Sequence, residues 1–81
     1  MSLLELRALL RRVNARLLRE DAGIRAATVA AALGVPLWLV RDWETGRSEP
    51  RTTAGFAWAR FICGLERHAE VTAELWRDVA A

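Results

Sequence analysis

The sequence predicts an all-α chain, and three observations carry that expectation. Apolar residues recur every three or four positions at both ends. Leu3, Leu6, Leu10, Val13 and Leu17 form one such series, and Trp58, Phe61, Ile62, Leu65, Ala69, Thr72, Trp76 and Val79 form another; this spacing lines one face of a helix. Gly23, Gly34 and Gly46 each fall where a helical pattern stops, the place a left-handed glycine commonly ends a helix. Between them, residues 23–50 read as two short helices joined by a tight turn. Ala30 is small enough to let the second helix approach, Gly34 makes the turn, and Val40 and Trp43 point back at the first helix.

Taken in order, the first element is a helix from Leu3 to about Ala22. Ser2 and Glu5 supply a capping box at its start, and Gly23 stops it. Its polar face groups Arg12, Arg16 and Arg19, while Leu4 and Leu18 lie on another side. That apolar surface is wider than one small core needs, so a second surface should cover it, either the chain's own C-terminus or a partner subunit. The next helix runs from about Arg25 to Leu33 and the one after it from about Pro36 to Glu44. Proline is tolerated in a first turn, where its missing N–H needs no intrahelical partner. Thr52 or Thr53 then caps a pattern that continues to Val79. Gly64 weakens that pattern by about 1 kcal/mol, which leaves open one long helix or two, broken near Gly64–His68.

Eighty-one residues make one domain, and the 53% apolar content with little Gly or Pro fits a compact chain. There is no apolar run of membrane-spanning length, and the N-terminus, with Glu5 and Arg7, does not read as a signal peptide. The single cysteine, Cys63, fits a reducing, cytoplasmic compartment and reads as a small buried hydrophobe. Charge is unevenly spread. Residues 1–60 carry ten Arg against six acids, a balance of +4, whereas residues 61–81 carry two Arg against four acids, a balance of −2. A polyanion is therefore attracted to the first part and repelled by the tail.

At Leu18-Arg19, Gly23-Ile24, Val29-Ala30, Leu33-Gly34-Val35, Val40, Trp43-Glu44-Thr45-Gly46 and Pro50, the chain resembles the phage-repressor-like (Cro/repressor, Xre-type) helix-turn-helix family. The resemblance covers about residues 14–66. It leaves 2–13 as an N-terminal helical extension and 67–81 as a C-terminal helical overhang. It implies a five-helix repressor-like domain, here with an extended N-terminal helix and a long C-terminal one. It also implies a homodimeric transcriptional regulator that places the helix at 36–44 in the major groove of double-stranded DNA. The base-facing positions are then Leu37, Trp38, Arg41 and Asp42. Leu37 suits a thymine methyl, Arg41 a guanine or a phosphate, and Asp42 a cytosine amino group.

Two departures from the family pattern matter. Where relatives carry a capping Ser and a phosphate-gripping Gln, this chain has Arg25 and Ala26. The lost cap costs about 0.5–2 kcal/mol, while Arg25 offers a longer-reaching charge to a phosphate. Trp38 stands where relatives read bases by hydrogen bonds. It either folds into the core against the N-terminal extension or presents, with Leu37, a surface to DNA or to a protein. The phosphate candidates are Arg25, Arg47 and Arg51, and the alternative for the last two is surface pairing with Glu44 and Glu49. Leu3, Leu6, Leu10, Leu75 and Trp76 are the dimer or partner surface.

Nothing in the sequence assembles a catalytic or metal site. His68 is the sole histidine, without a Cys pair or carboxylate cluster at ligand spacing, and there is no glycine-rich phosphate loop or partnered nucleophile. The expectation is a DNA-binding regulator of phage, plasmid or antitoxin type that needs no cofactor. A protein-interaction module using Leu37 and Trp38 on the same scaffold is the alternative.

Overall fold

The computed structural model describes Leu4 and residues 14–80, with side chains as far as residue 77. All regular structure among these residues is helical: α1 (Ala15–Asp21), α2 (Ala26–Leu33), α3 (Leu37–Thr45) and α4 (Thr53–Ala80). The described residues thus form four helices rather than the five that the resemblance implies. Leu4 is helical and 79% exposed. Ser2, Leu3, Glu5, Leu6, Leu10 and Val13, on which the N-terminal expectations rest, lie outside the described residues.

The expected unbroken helix from Leu3 to Ala22 does not form, because Asn14 interrupts it. The Asn14 backbone is extended (φ −92°, ψ 97°), and its Oδ1 accepts the Leu17 N–H at 3.1 Å. An asparagine side chain competes with the helix for backbone donors, and at an N-cap that competition becomes the cap itself. The face α1 turns inward is also not the expected one. Ala15 and Arg19 are buried and Leu18 packs on the core, whereas Leu17 is 53% exposed.

The three glycine stops are as the sequence indicates. Gly23, Gly34 and Gly46 have φ of 74°, 69° and 76°. After each, the following N–H reaches back across the last turn: Ile24 to the Arg19 carbonyl (3.1 Å), Val35 to Ala30 (3.0 Å) and Arg47 to Asp42 (2.9 Å). This is the Schellman arrangement, which satisfies carbonyls the helix leaves open and turns the chain sharply. Three such stops fold three short helices into a small volume.

Their apolar faces meet one core. α2 packs on α3, and α4 packs on both α1 and α2. Val40, Ile62 and Trp58 are essentially inaccessible, and Ala30 and Ala59 fill the close approaches. The Trp43 and Trp58 rings lie 5.5 Å apart, tilted by 34°, in the separation range where aromatic pairs attract. Each fully buried large side chain contributes about 1.5–3 kcal/mol, so this cluster carries most of the fold.

α4 begins where Thr52 Oγ1 accepts the Gly55 N–H at 3.0 Å. At Gly55 a Cβ would stand 2.8 Å from the Pro50 Cα, so only glycine lets the preceding loop lie against the helix. The helix then runs 28 residues without a break, which settles the choice left open at Gly64–His68. Gly64 is exposed with nothing near it and does not interrupt the ladder. At 1.5 Å per residue such a helix is about 42 Å long, and it accounts for most of the molecule's 44 Å long axis. Burial along it stops at Leu65 and Glu66; between Arg67 and residue 77, the last whose side chain is described, only Thr72 is half-buried, while Val71, Leu75 and Trp76 are 50%, 61% and 67% exposed.

Candidate nucleic-acid interface

The candidate surface is the outer side of α3, and its geometry follows from how α3 is held. Val40 and Trp43 anchor it inward, and Leu37 and Leu39 pack on the core from its two flanks. The opposite stripe is exposed: Trp38 (62% accessible), Arg41 and Thr45, at positions i, i+3 and i+7. Of the four residues expected to face outward, Trp38 and Arg41 do so. Leu37 and Asp42 are half-buried on the edges of that stripe.

The sequence reading missed Thr45 as part of the open face. Its spacing from Arg41, one turn on, was the available signal. Its hydroxyl donates to the Arg41 carbonyl at 3.0 Å, so what it offers outward is a methyl group and remaining oxygen lone pairs.

Arg41 and Arg25 border one open concavity of about 510 Å³, together with Arg16, Leu37 and the first residues of α2. Arg25 is the N-cap of α2 but its side chain makes no capping bond, because a guanidinium has donors and no acceptor to offer the first-turn amides. The amides of the first turn of α2 therefore lack a side-chain partner and carry the positive end of the helix dipole. Four arginines and this helix end border the same hollow, Arg16 and Arg19 in ion pairs with its two acids. Acids on its wall reduce that charge. Arg16 is bound to Glu20 at 2.7 Å, and this hydrogen bond holds the Glu20 carboxyl below its ordinary range.

The remaining cation candidates divide. Arg51 lies 3.3 Å from Glu49, which is the surface-pair alternative. Arg47, which follows Gly46 at the end of α3, is exposed and makes no side-chain hydrogen bond or ion pair among the described residues. Glu44, the acid expected beside it, is held by Arg19 instead.

That engagement is the second feature the residues alone did not reveal. Arg19 Nε lies 2.6 Å from Glu44 Oε2, its Nη2 reaches Oε1 at 3.3 Å, and its Nη1 donates to the Ile24 carbonyl at 2.7 Å. Only 10% and 4% of the two side chains remain accessible. Arg19, expected on a polar face, is instead a buried strut tying α1 and the Gly23 turn to the inner side of α3. Nothing local in the sequence signals a pair 25 residues apart.

Trp38 does not fold into the core, so the open alternative at that position resolves toward an exposed ring. Leu75 and Trp76 are likewise exposed, whereas Leu3, Leu6 and Leu10 lie outside the described residues. No group of three or more His, Cys, Asp or Glu side chains converges on a metal-sized site among the described residues, and none of their helices is long and apolar enough to cross a membrane. No family model, curated protein or solved structure matches the chain.

Proposed function

We propose that this chain is a sequence-specific, double-stranded-DNA-binding transcriptional regulator of the repressor-like helix-turn-helix kind. It works in the cytoplasm as a homodimer and without a cofactor. The observation that carries the reading is the posture of α3. Val40 and Trp43 fix it against α2 across a turn at Gly34, and its far side, Trp38–Arg41–Thr45, stays open. A helix so held fits the major groove, which is about 12 Å wide. Arg25, Arg41 and Arg47 are exposed around it and form no ion pair among the described residues. In this pose Arg41 faces a base edge or a phosphate, and Arg25 and Arg47 bracket the backbone on either side. Two copies then read half-sites about 34 Å apart.

A mobility-shift titration at several salt concentrations tests this. Arg47→Ala should weaken binding across all sequences and lower the salt slope by about 1, and Arg41→Ala should also relax the sequence preference. Unchanged affinity and slope in both variants would remove these residues from the interface.

One observation favours a second reading. A tryptophan 62% exposed beside a leucine is the composition of a protein contact. In that case α3 docks on a partner protein through Leu37 and Trp38. A pull-down that depends on Trp38, from a protein that shifts no DNA, would replace the first reading with this one.

A further inference from the structure

From the chemistry of the exposed stripe we infer that Trp38 reads the C5-methyl group of a pyrimidine in the major groove. This deepens the DNA-binding reading and rests on it. Trp38 is on the first turn of α3, the part of such a helix that meets base edges. It is the largest exposed apolar side chain of that helix. Leu37, half-buried against the core, holds this turn in place, so the ring is presented from a rigid element rather than a loop.

The indole has a single N–H donor and no acceptor. Laid on the edge of a base pair, its face strips water from carbonyl, ring-nitrogen and amino groups and returns no hydrogen bond, which costs affinity. The C5-methyl of thymine is the exception among the major-groove features of the four bases, since it gains from apolar contact. A tryptophan here therefore penalises most base steps and favours those that turn a methyl toward it. Arg41, one turn further along the same face, brings the forked donors that pair with guanine O6 and N7. Side by side, the two prefer a methyl-bearing step next to a guanine. Thymine and 5-methylcytosine carry the same methyl at the same place in the groove, so both fit the ring.

The test uses the full chain and a duplex enriched by it from a random-sequence library. The enriched duplex is resynthesised with deoxyuridine for thymidine, and separately with 5-methyldeoxycytidine for deoxycytidine. Uridine keeps every hydrogen-bonding group and removes only the methyl. Affinity should fall about fourfold for each contacted methyl lost, and Trp38→Ala should bind the thymidine and uridine duplexes equally. Loss on uridine substitution assigns thymine, and tightening on 5-methylcytosine assigns the methylated cytosine. Equal wild-type affinity for all three duplexes overturns the inference while leaving α3 as a DNA-binding helix. Failure to enrich any duplex, even at low salt, overturns both and turns Trp38 toward a protein. Because Trp38 is exposed, its alanine variant should keep the wild-type circular dichroism, and a variant that does not is replaced by Trp38→Gln in the same comparison.

Discussion

Arg19 illustrates how much a single residue decides in a domain this small. Its guanidinium satisfies a carboxylate and a turn carbonyl at once, in a place where only 10% of its side chain meets water. Such a pair adds little over a well-packed apolar substitute, but removing one partner strands a buried charge at about 3–5 kcal/mol. We therefore expect Glu44→Ala and Arg19→Ala each to lower unfolding stability by about 3 kcal/mol in urea titrations. The double variant Arg19→Met/Glu44→Leu should recover most of the loss. A double variant no better than the singles would mean the pair contributes far more than its desolvation cost. Cys63 is a second single-residue case. Burial, helped by the nearby Glu66 charge, pushes its thiol above the ordinary range, so its reactive thiolate is scarce at neutral pH. A thiol reagent should titrate it slowly in the native protein and fast in denaturant. Rapid native labelling would contradict the burial.

For the helices as units, the ends matter more than the middles. α2 is made almost entirely of alanine and small apolar residues, and its beginning is uncapped. Arg25→Ser should add the missing cap and stabilise the fold by about 0.5–2 kcal/mol, while, on the DNA-binding role proposed above, weakening affinity by taking away a cation. Opposite signs in melting and binding measurements distinguish this from a general packing effect. At the other end of α2, Gly34 has φ 69° and open space around it. Gly34→Ala thus meets no neighbour, and its cost is backbone strain alone, about 1–2 kcal/mol. A neutral result would show that the turn relaxes.

Across the whole molecule, the far half of α4 stands apart, with its described apolar side chains uncovered. Its apolar residues Val71, Leu75 and Trp76 stand in solvent, well past the point where α1 and α2 stop covering the helix. A lone 28-residue helix has little reason to persist beyond its support, since helical stability comes mainly from packing one face. A second copy or the chain's own leucine-rich start are the two covers the sequence suggests, and they separate experimentally. With a second copy, sedimentation shows a concentration-dependent dimer that Trp76→Glu dissociates. With the N-terminal segment, Trp76→Glu leaves the mass unchanged and lowers the melting temperature. Charge follows the same division. The cations gather in residues 1–60 and the acids prevail beyond, so any approaching polyanion is drawn to the first part and repelled by the α4 overhang.

The helical class, the three glycine stops, the α2–turn–α3 unit and the inward residues Ala30, Val40 and Trp43 were all legible in the sequence. Each depends on interactions within one or two turns, which periodicity and positive-φ glycine report directly. The break at Asn14 is also local, but the leucine stripe that runs through residues 3–17 masks it, since spacing alone carries no sign of a cap. What only the tertiary structure decided is which way α1 faces and that the C-terminal pattern is one helix. α1 turns Arg19 inward and Leu17 outward because its partner, Glu44, arrives from 25 residues away, and α4 stays whole through Gly64, an exposed position between Cys63 of the core and Leu65 packed against it. The division of the expected outer positions of α3 was likewise settled by long-range packing. Leu37 is drawn toward the core and Trp38 left exposed, a difference between neighbours that no pattern along the chain encodes.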